Sequence, residues 1–366
     1  MGSSCLRTTT PEASPTAQRT RSPWPPGNRG AHGLVARLSG LPLLAFTILI
    51  ASWQVTDRSE DPSGVAVILS ENVFARTAGD LAQYRPFSHN LVVGLRTLEG
   101  LQTDLTPYLH MRFAQCVLIF GLFYVYCGRL GLSHRARILG IGLVAGIMSL
   151  SLGRIGPSTF SLDRFTDTVF FLIAAVLVLR GLELWIPPLM VLAIANRETA
   201  VMIPMLILAK HGVGLDLLRR QSYRNPLVIA LVAWIVGAIV YLGIHAYYGP
   251  QTRSDASYFG PEMMLKSLRM PAQVVFFFAA VNLLPIMVLL SLRDADPFLR
   301  RLFWLVVPAW FAIHIWAARL GEGMLFLTPI TLIIVPIVVQ GVEKYVSRAA
   351  ALSPVAAEAG LKPRAG

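Results

Sequence analysis

The sequence predicts an all-α integral membrane protein: a multi-spanning helical bundle with a broken or re-entrant helical hairpin and a long outer loop that carries amphipathic helices. Three observations predict it. Hydrophobic residues make up 54% of the chain and charged residues only 14%, whereas soluble domains carry about 25% charged residues. The mean hydropathy of +0.59 is concentrated in apolar runs of membrane-spanning length. The Lys and Arg residues that give a formal net charge of +12 fall in short blocks between those runs, the pattern of loops kept in the cytoplasm. That placement argues against nucleic acid as a partner and leaves membrane lipids as the surroundings of the chain.

Cys5, Cys116 and Cys127 cannot form a disulfide framework, and scattered His residues give no zinc spacing, so no metal site is expected. No pattern fixes a cofactor; a divalent cation is kept as an option.

Residues 1–36, rich in Pro, Ser, Thr, Gly and Arg, read as a disordered basic cytoplasmic tail. The membrane domain then runs over 37–345. Its first span, Leu38–Val55, ends at Asp57, Glu60 and Asp61 and opens the outer loop 56–110. Within that loop Val65, Ile68, Leu69 and Val73 repeat at helical spacing, as do Leu91, Leu95, Leu98 and Leu101. Both stretches suit helices lying on the membrane face. Between them come Asp80, Tyr84, Arg85, His89 and Asn90.

Spans follow at Phe113–Gly128, Ile138–Gly153 and Thr168–Leu179, the last entered through a polar loop with Arg154, Asp163, Arg164 and Asp167. Further spans are read at Pro226–Tyr247, Pro271–Leu292, Leu302–Ala318 and Met324–Val342, and 346–366 reads as a second disordered cytoplasmic tail. Both termini then face the cytoplasm.

The stretch Trp185–His211 stands apart. It is apolar except for Asn196, Arg197 and Glu198 at its centre. About ten apolar residues on either side reach about 15 Å each, half of a hydrocarbon core about 30 Å thick. Ionised groups there cost about 2.5–3.5 kcal/mol each and usually face a polar cavity or a partner. Either one helix carries the pair at mid-depth, or Ile186–Ala195 rises and Thr199–Ala209 descends, two half-helices meeting at a watery pocket. A plain internal ion pair is the simpler alternative.

With this topology the unexplained polar residues collect on one side of the membrane. A carboxylate there can take the proton of an acceptor hydroxyl while cations hold a phosphate leaving group, chemistry that suits a donor already attached to lipid. Asp57 and Glu60 read as solvated helix ends; His245, His314 and Trp316 read as packing near span ends.

The order of elements resembles the bacterial GT-C membrane glycosyltransferases, which use polyprenyl-phosphate sugars on the outer membrane face. The carriers are YRPFSHNLVVGLRTL, GRLGLS, the span headed by Asp167, NRETAVMIP and ARLGEGMLFLTPITLIIVP. NRETA is the most specific. Two positions depart from the pattern: His89 and Asn90 stand where an Arg is expected after the aromatic, and Met324 where an Arg commonly follows the late Glu. The resemblance implies an inverting transfer from a lipid-linked sugar to an unspecified acceptor, in the inner membrane of a bacterial cell envelope. It also implies Asp80, or an acid just after the first span such as Asp61, as the catalytic base, with Arg197 and Glu198 lining the donor pocket and Glu322 closing it. Arg85, His89, Arg154, Asp167 and Arg319 join the expected substrate site by their place on the same outer side in the topology read above. A solute transporter or flippase, or a non-catalytic envelope assembly protein, are the alternatives; the chain shows no second interrupted hairpin of the kind a repeat-built transporter would carry.

Overall fold

Helices make up all the regular structure among the described residues of the computed structural model, which are 84–100, 106–151, 162–212, 225–249, 282–317 and 323–351 with a few isolated positions. The predicted first span, most of the outer loop and the N-terminal tail lie outside them.

Helix α1, Pro86–Glu99, starts where its sequence requires. Arg85 precedes a proline and takes a non-helical backbone (φ −120°, ψ 57°), while Pro86 sits in the first turn, where its missing N–H costs nothing. Gly100 ends the helix at φ 68°, its N–H returning to the Arg96 carbonyl. The buried residues of α1 are Ser88 and Val92, one turn apart. Leu98, from the predicted apolar stripe, is 86% exposed, so that stripe faces away from the protein. The other expected amphipathic stretch, Val65–Val73, lies outside the described residues.

Helices α2 (Thr106–Arg129) and α3 (His134–Ser151) follow, joined by a turn at Gly131 (φ 80°). Helix α2 begins seven residues before the expected span at Phe113 and buries Tyr108 and Arg112 in that extra length, with Gln115 buried just beyond it. Helix α4, Leu162–Leu179, is buried on nearly every side, as expected of a helix apolar all round beyond its first turns. Helix α2 packs along it, together with α5 (Ile186–Asn196) and α6 (Met205–His211). Helix α7, Pro226–Tyr248, is capped by the Asn225 side chain, which accepts from the Leu227 N–H at 3.0 Å. It packs on α5 through Gly237, where a Cβ would press on Met190.

Helix α8 covers Leu284–Ser291 and α9 Pro297–Ala317, with Pro308 inside it. A short helical turn at Leu327–Pro329 and a π-helical turn at Ile330–Ile334 then lead into α10, Val335–Ala351. The π turn disturbs the regular pairing of carbonyls, and the Tyr126 hydroxyl donates to the Leu332 carbonyl at 2.8 Å. Helix α10 runs on to Ala351, so residues 346–351, read from sequence as the start of the tail, are helical. Their Ala and Arg residues favour the helix once α10 is nucleated.

Among the described residues three helices are long and apolar enough to cross a membrane: Thr106–Arg129, Pro226–Tyr248 and Leu327–Ala349. On α7, Leu231, Ile235, Ile239 and Leu242 are all exposed. A contiguous apolar face of this kind is unfavourable in water and comfortable in hydrocarbon.

The stretch from Glu183 to His211 doubles back on itself. The Lys210 ammonium donates to the Glu183 carboxylate at 2.5 Å and to the Val178 carbonyl at 2.6 Å, and His211 lies 3.1 Å from the same carboxylate. Both ends of the stretch therefore meet at the C-terminal end of α4. Burial works against the charge of Glu183, but the hydrogen bonds from Lys210 and His211 outweigh it and hold the carboxyl below the usual glutamate range. That stabilisation is complete above the ordinary glutamate pKa and is lost as pH falls through the lowered value. Thermal melts of Glu183→Gln taken from neutral to acid pH should therefore show a flatter decline than wild type. Equal slopes would mean that Glu183 contributes nothing to acid sensitivity.

Close approach of α8 to α10 depends on Gly341. A Cβ there would overlap the Ser291 side chain, and α8 has little room to retreat while it packs along α10. Gly341→Val should cost about 1–3 kcal/mol by overpacking, read as a lower melting temperature of the detergent-solubilised protein. Gly243→Val on α7, where a Cβ meets nothing within 4 Å, should leave the melt unchanged.

Candidate functional site

The polar residues of four elements meet at the N-terminal end of α4. Arg85 arrives from the residue before α1, fixed by the proline that follows it. Asp163, Thr166, Asp167 and Thr168 come from the first two turns of α4, and Gln115 from α2. Asn196, Arg197, Glu198 and Thr199 come from the far end of the doubled-back stretch, where Arg197 is extended (φ −163°, ψ 140°) and breaks the helix between α5 and a single 3-10 stretch, Glu198–Met202.

Arg85 clasps these elements together. Its Nε and Nη2 donate to the two oxygens of Glu198 at 2.9 and 2.5 Å, and its Nη1 donates to Asp163 at 3.0 Å. The planar guanidinium suits this fork-to-fork arrangement, which a lysine could not reproduce. Burial of Arg85 opposes its charge, yet Glu198 and Asp163 more than offset that and push its pKa above the ordinary arginine value.

A second layer of neutral groups lies behind the clasp. The Ser88 hydroxyl makes short contacts with Asn196 Oδ1 (2.5 Å) and Thr166 Oγ1 (3.0 Å); Asn196 Nδ2 donates to the Asp163 carbonyl at 2.8 Å. Gln115 Nε2 donates to Thr166 Oγ1 and to the Leu162 carbonyl, at 2.7 and 2.8 Å. One turn earlier on α2, the Arg112 guanidinium stacks 3.5 Å above the Phe165 ring. These bonds level the Asn-Arg-Glu triplet with the first turns of α4. Of the two expected geometries, the one in which two limbs meet at the triplet is the one observed.

The expected Arg197–Glu198 ion pair is not formed, which corrects the simplest reading of that stretch. Neighbours along an extended backbone point to opposite sides, so the two side chains diverge. Glu198 turns to Arg85, 113 positions away in the chain. Arg197 is left 5% exposed; its buried Nε has no hydrogen-bond partner, and it forms no ion pair among the described residues. Three arginines, Arg85, Arg164 and Arg197, lie within electrostatic range of the buried His314 ring on α9, which is stacked on Trp310 at 5.1 Å.

Asp167 lies deeper on the same side of α4 and is fully buried. Its Oδ2 accepts from Thr199 Oγ1 at 2.9 Å and more distantly from Thr328 Oγ1 at 3.5 Å; Oδ1 is buried with no partner. Beside Arg85, Tyr84 donates to the Gly249 carbonyl at 2.7 Å and stacks on His245 at 3.9 Å. A groove of about 560 Å³ opens next to it, between Pro86 and Asn90 of α1 and the last turns of α7 at Tyr247 and Tyr248.

Of the residues singled out from sequence, Arg85, Asp167, Arg197 and Glu198 come together here, and His89 lies half-buried on the same turn of α1. Asp61, Asp80, Arg154, Arg319 and Glu322 lie outside the described residues. Ser88, Gln115, Asn196, Thr199 and Thr328 belong to the cluster and were not picked out as site residues. Ser88 carried one usable signal, its position one helical turn after Arg85. Among the described residues no group of three or more His, Cys, Asp and Glu is placed to hold a metal ion. The chain matches no protein-family model, no curated protein and no solved structure.

Proposed function

We propose that this protein is a membrane glycosyltransferase that moves a sugar from a polyprenyl-phosphate donor to an acceptor on the extracytoplasmic face. The observation that carries the reading is the state of Arg197. Arg85 takes both oxygens of Glu198 and one of Asp163, and Arg197 is left in a buried place with an Nε from which no described group accepts. Such a cation is costly unless an anion from outside the chain completes it. A phosphate diester on a lipid is an anion of the right chemistry, delivered from the bilayer in which α7 would sit.

In this reading the chain is a multi-spanning bundle in a bacterial inner membrane, with cytoplasmic termini, and the stretch Glu183–His211 is a re-entrant hairpin entering from the cytoplasmic side. Lys210, His211 and Glu183 then mark the cytoplasmic end, and Arg85, Asp163 and the triplet mark the outer end. An acceptor hydroxyl attacks the anomeric carbon, its proton passing to Asp80 or Asp61 on the outer loop. The bond from that carbon to the phosphate oxygen breaks as the new one forms, inverting the centre, and its electron pair leaves on the phosphate held by Arg197. The clasp itself positions the triplet and does not touch the reacting atoms.

The experiment is turnover of radiolabelled polyprenyl-phosphate sugars by the purified protein in nanodiscs, with a mixed membrane extract as acceptor. Label should move from donor to product, and Asp80→Asn or Asp61→Asn should lower the rate at least about 100-fold. Turnover that survives both substitutions would reject these acids as the base. No turnover, together with solute movement in proteoliposomes, would favour the transporter reading that the doubled-back stretch also suits.

A further inference from the structure

Two orphans lie in the same cluster. Asp167 Oδ1 is a buried acceptor with no donor, and Arg197 Nε is a buried donor with no acceptor. They are close enough to feel one another's charge, yet they form no ion pair within the 4.0 Å that defines one among the described residues. Each alone carries a desolvation cost that a partner would remove. The protein could have closed the gap with a salt bridge and has not.

The surroundings explain why the gap persists. Asp167 is held from behind by Thr199, and Thr199 is two residues beyond Arg197 on the same turn. Ser88 and Asp163 anchor Asn196, the residue before Arg197. Both members of the orphan pair are therefore fixed by bonds to their neighbours rather than to each other, which is how groups are held for a ligand.

The ligand that completes both must donate an O–H to a carboxylate and accept from a guanidinium. A bare phosphate dianion fits only the second and is repelled by the first. We propose that Asp167 is the sugar-recognising residue of the site: its free oxygen accepts a ring hydroxyl of the transferred sugar while Arg197 holds the phosphate to which that sugar is attached. This rests on the glycosyl-transfer reading above and deepens it by assigning the sugar side of the pocket to α4. Asp167 is then a specificity residue, since a buried carboxylate discriminates steeply against an analogue that lacks the matching hydroxyl.

The test measures binding without turnover, on the full-length protein in nanodiscs. The probes are farnesyl phosphate and farnesyl phosphoryl-mannose, -glucose and -arabinose, read by titration calorimetry. At least one sugar-bearing probe should bind wild type about tenfold more tightly than farnesyl phosphate, the loss of one hydrogen bond to a charged acceptor being of that order. Asp167→Asn should erase this margin and leave farnesyl phosphate bound as well as before or better, because a negative charge has gone. Asp167→Ser, which keeps a hydroxyl for Thr199, should do the same and serves if the Asn variant does not fold.

Three results would overturn the assignment: wild type that binds all four probes alike, as it would if a trapped water bridged the two orphans; a margin that survives both substitutions; or substitutions that weaken every probe equally. The fate of the underlying reading is read separately. If wild type binds farnesyl phosphate and Arg197→Ala abolishes it, the phosphate site stands whatever Asp167 does. If wild type binds none of the four, the phosphate site falls and the sugar subsite falls with it.

Discussion

Arg85→Met should destabilise the protein by about 3 kcal/mol, more than any other single replacement among the residues discussed here. Removing one member of a buried ion pair strands its partners, at a cost of about 3–5 kcal/mol. Two carboxylates lose a guanidinium in this case. Asp163 keeps 11% side-chain exposure and loses most; Glu198 keeps 41% and is partly relieved by solvent, which places the sum at the low end of that range. The loss is not confined to charge. Without the clasp, α1, α4 and the 3-10 stretch at Glu198–Met202 are joined there by the bonds of Ser88 and Asn196 and by the Thr199 to Asp167 hydrogen bond. The measurement is a thermal or denaturant melt in detergent, with Arg85→Met/Glu198→Gln alongside. Taking away one stranded charge should return part of the loss, and a double change no better than the single one would count against the clasp.

Arg197→Met should behave in the opposite way. Replacing a buried cation, unpaired among the described residues, with an apolar side chain of similar length removes its desolvation cost, so the change should be neutral or stabilising. Here the gain is tempered because Asp163 and Asp167 lose a nearby positive charge. The melt should be no worse than wild type, while binding of farnesyl phosphate and transfer from a labelled donor should fall at least about 100-fold, as expected for loss of a charge-assisted contact to phosphate. A folded, more stable and inactive protein is the signature of a functional residue held at the expense of stability. A destabilised variant would instead make Arg197 part of the structural frame. Comparing the two arginines in one preparation separates roles that the sequence leaves identical.

How much of this was legible beforehand differs from residue to residue. The helical class followed from composition, and the break at Asn196 followed from three polar residues that an apolar helix cannot absorb. Asp167 and Arg85 were visible because charge is rare in this chain. What could not be read was the partner choice. Adjacent opposite charges invite pairing, but the extended backbone at Arg197 sends the two side chains apart, and no local pattern announces that Glu198 will find an arginine 113 positions earlier. Ser88 and Gln115 were invisible for a related reason: uncharged polar residues are common, and only tertiary geometry shows that these two join the cluster around Asn196 and Thr166. The same holds for the outward-facing leucines of α1. Their spacing gives a stripe, and whether that stripe meets protein or lipid is set by what Ser88 and Val92 contact.

The polar opening turns of α4 carry a consequence for how the chain is made. With Asp163, Arg164 and Asp167 at its head, α4 is a poor candidate to leave the translocon for lipid unaided. Synthesis runs from the N-terminus, so Arg85 has emerged before Asp163, whereas Glu198 follows both. The Arg85–Asp163 contact can therefore form while the nascent chain is still engaged, and Glu198 joins a pair that already exists. On the membrane reading proposed above, biogenesis of this protein should be most sensitive to lesions at Arg85, the earliest of the three to appear.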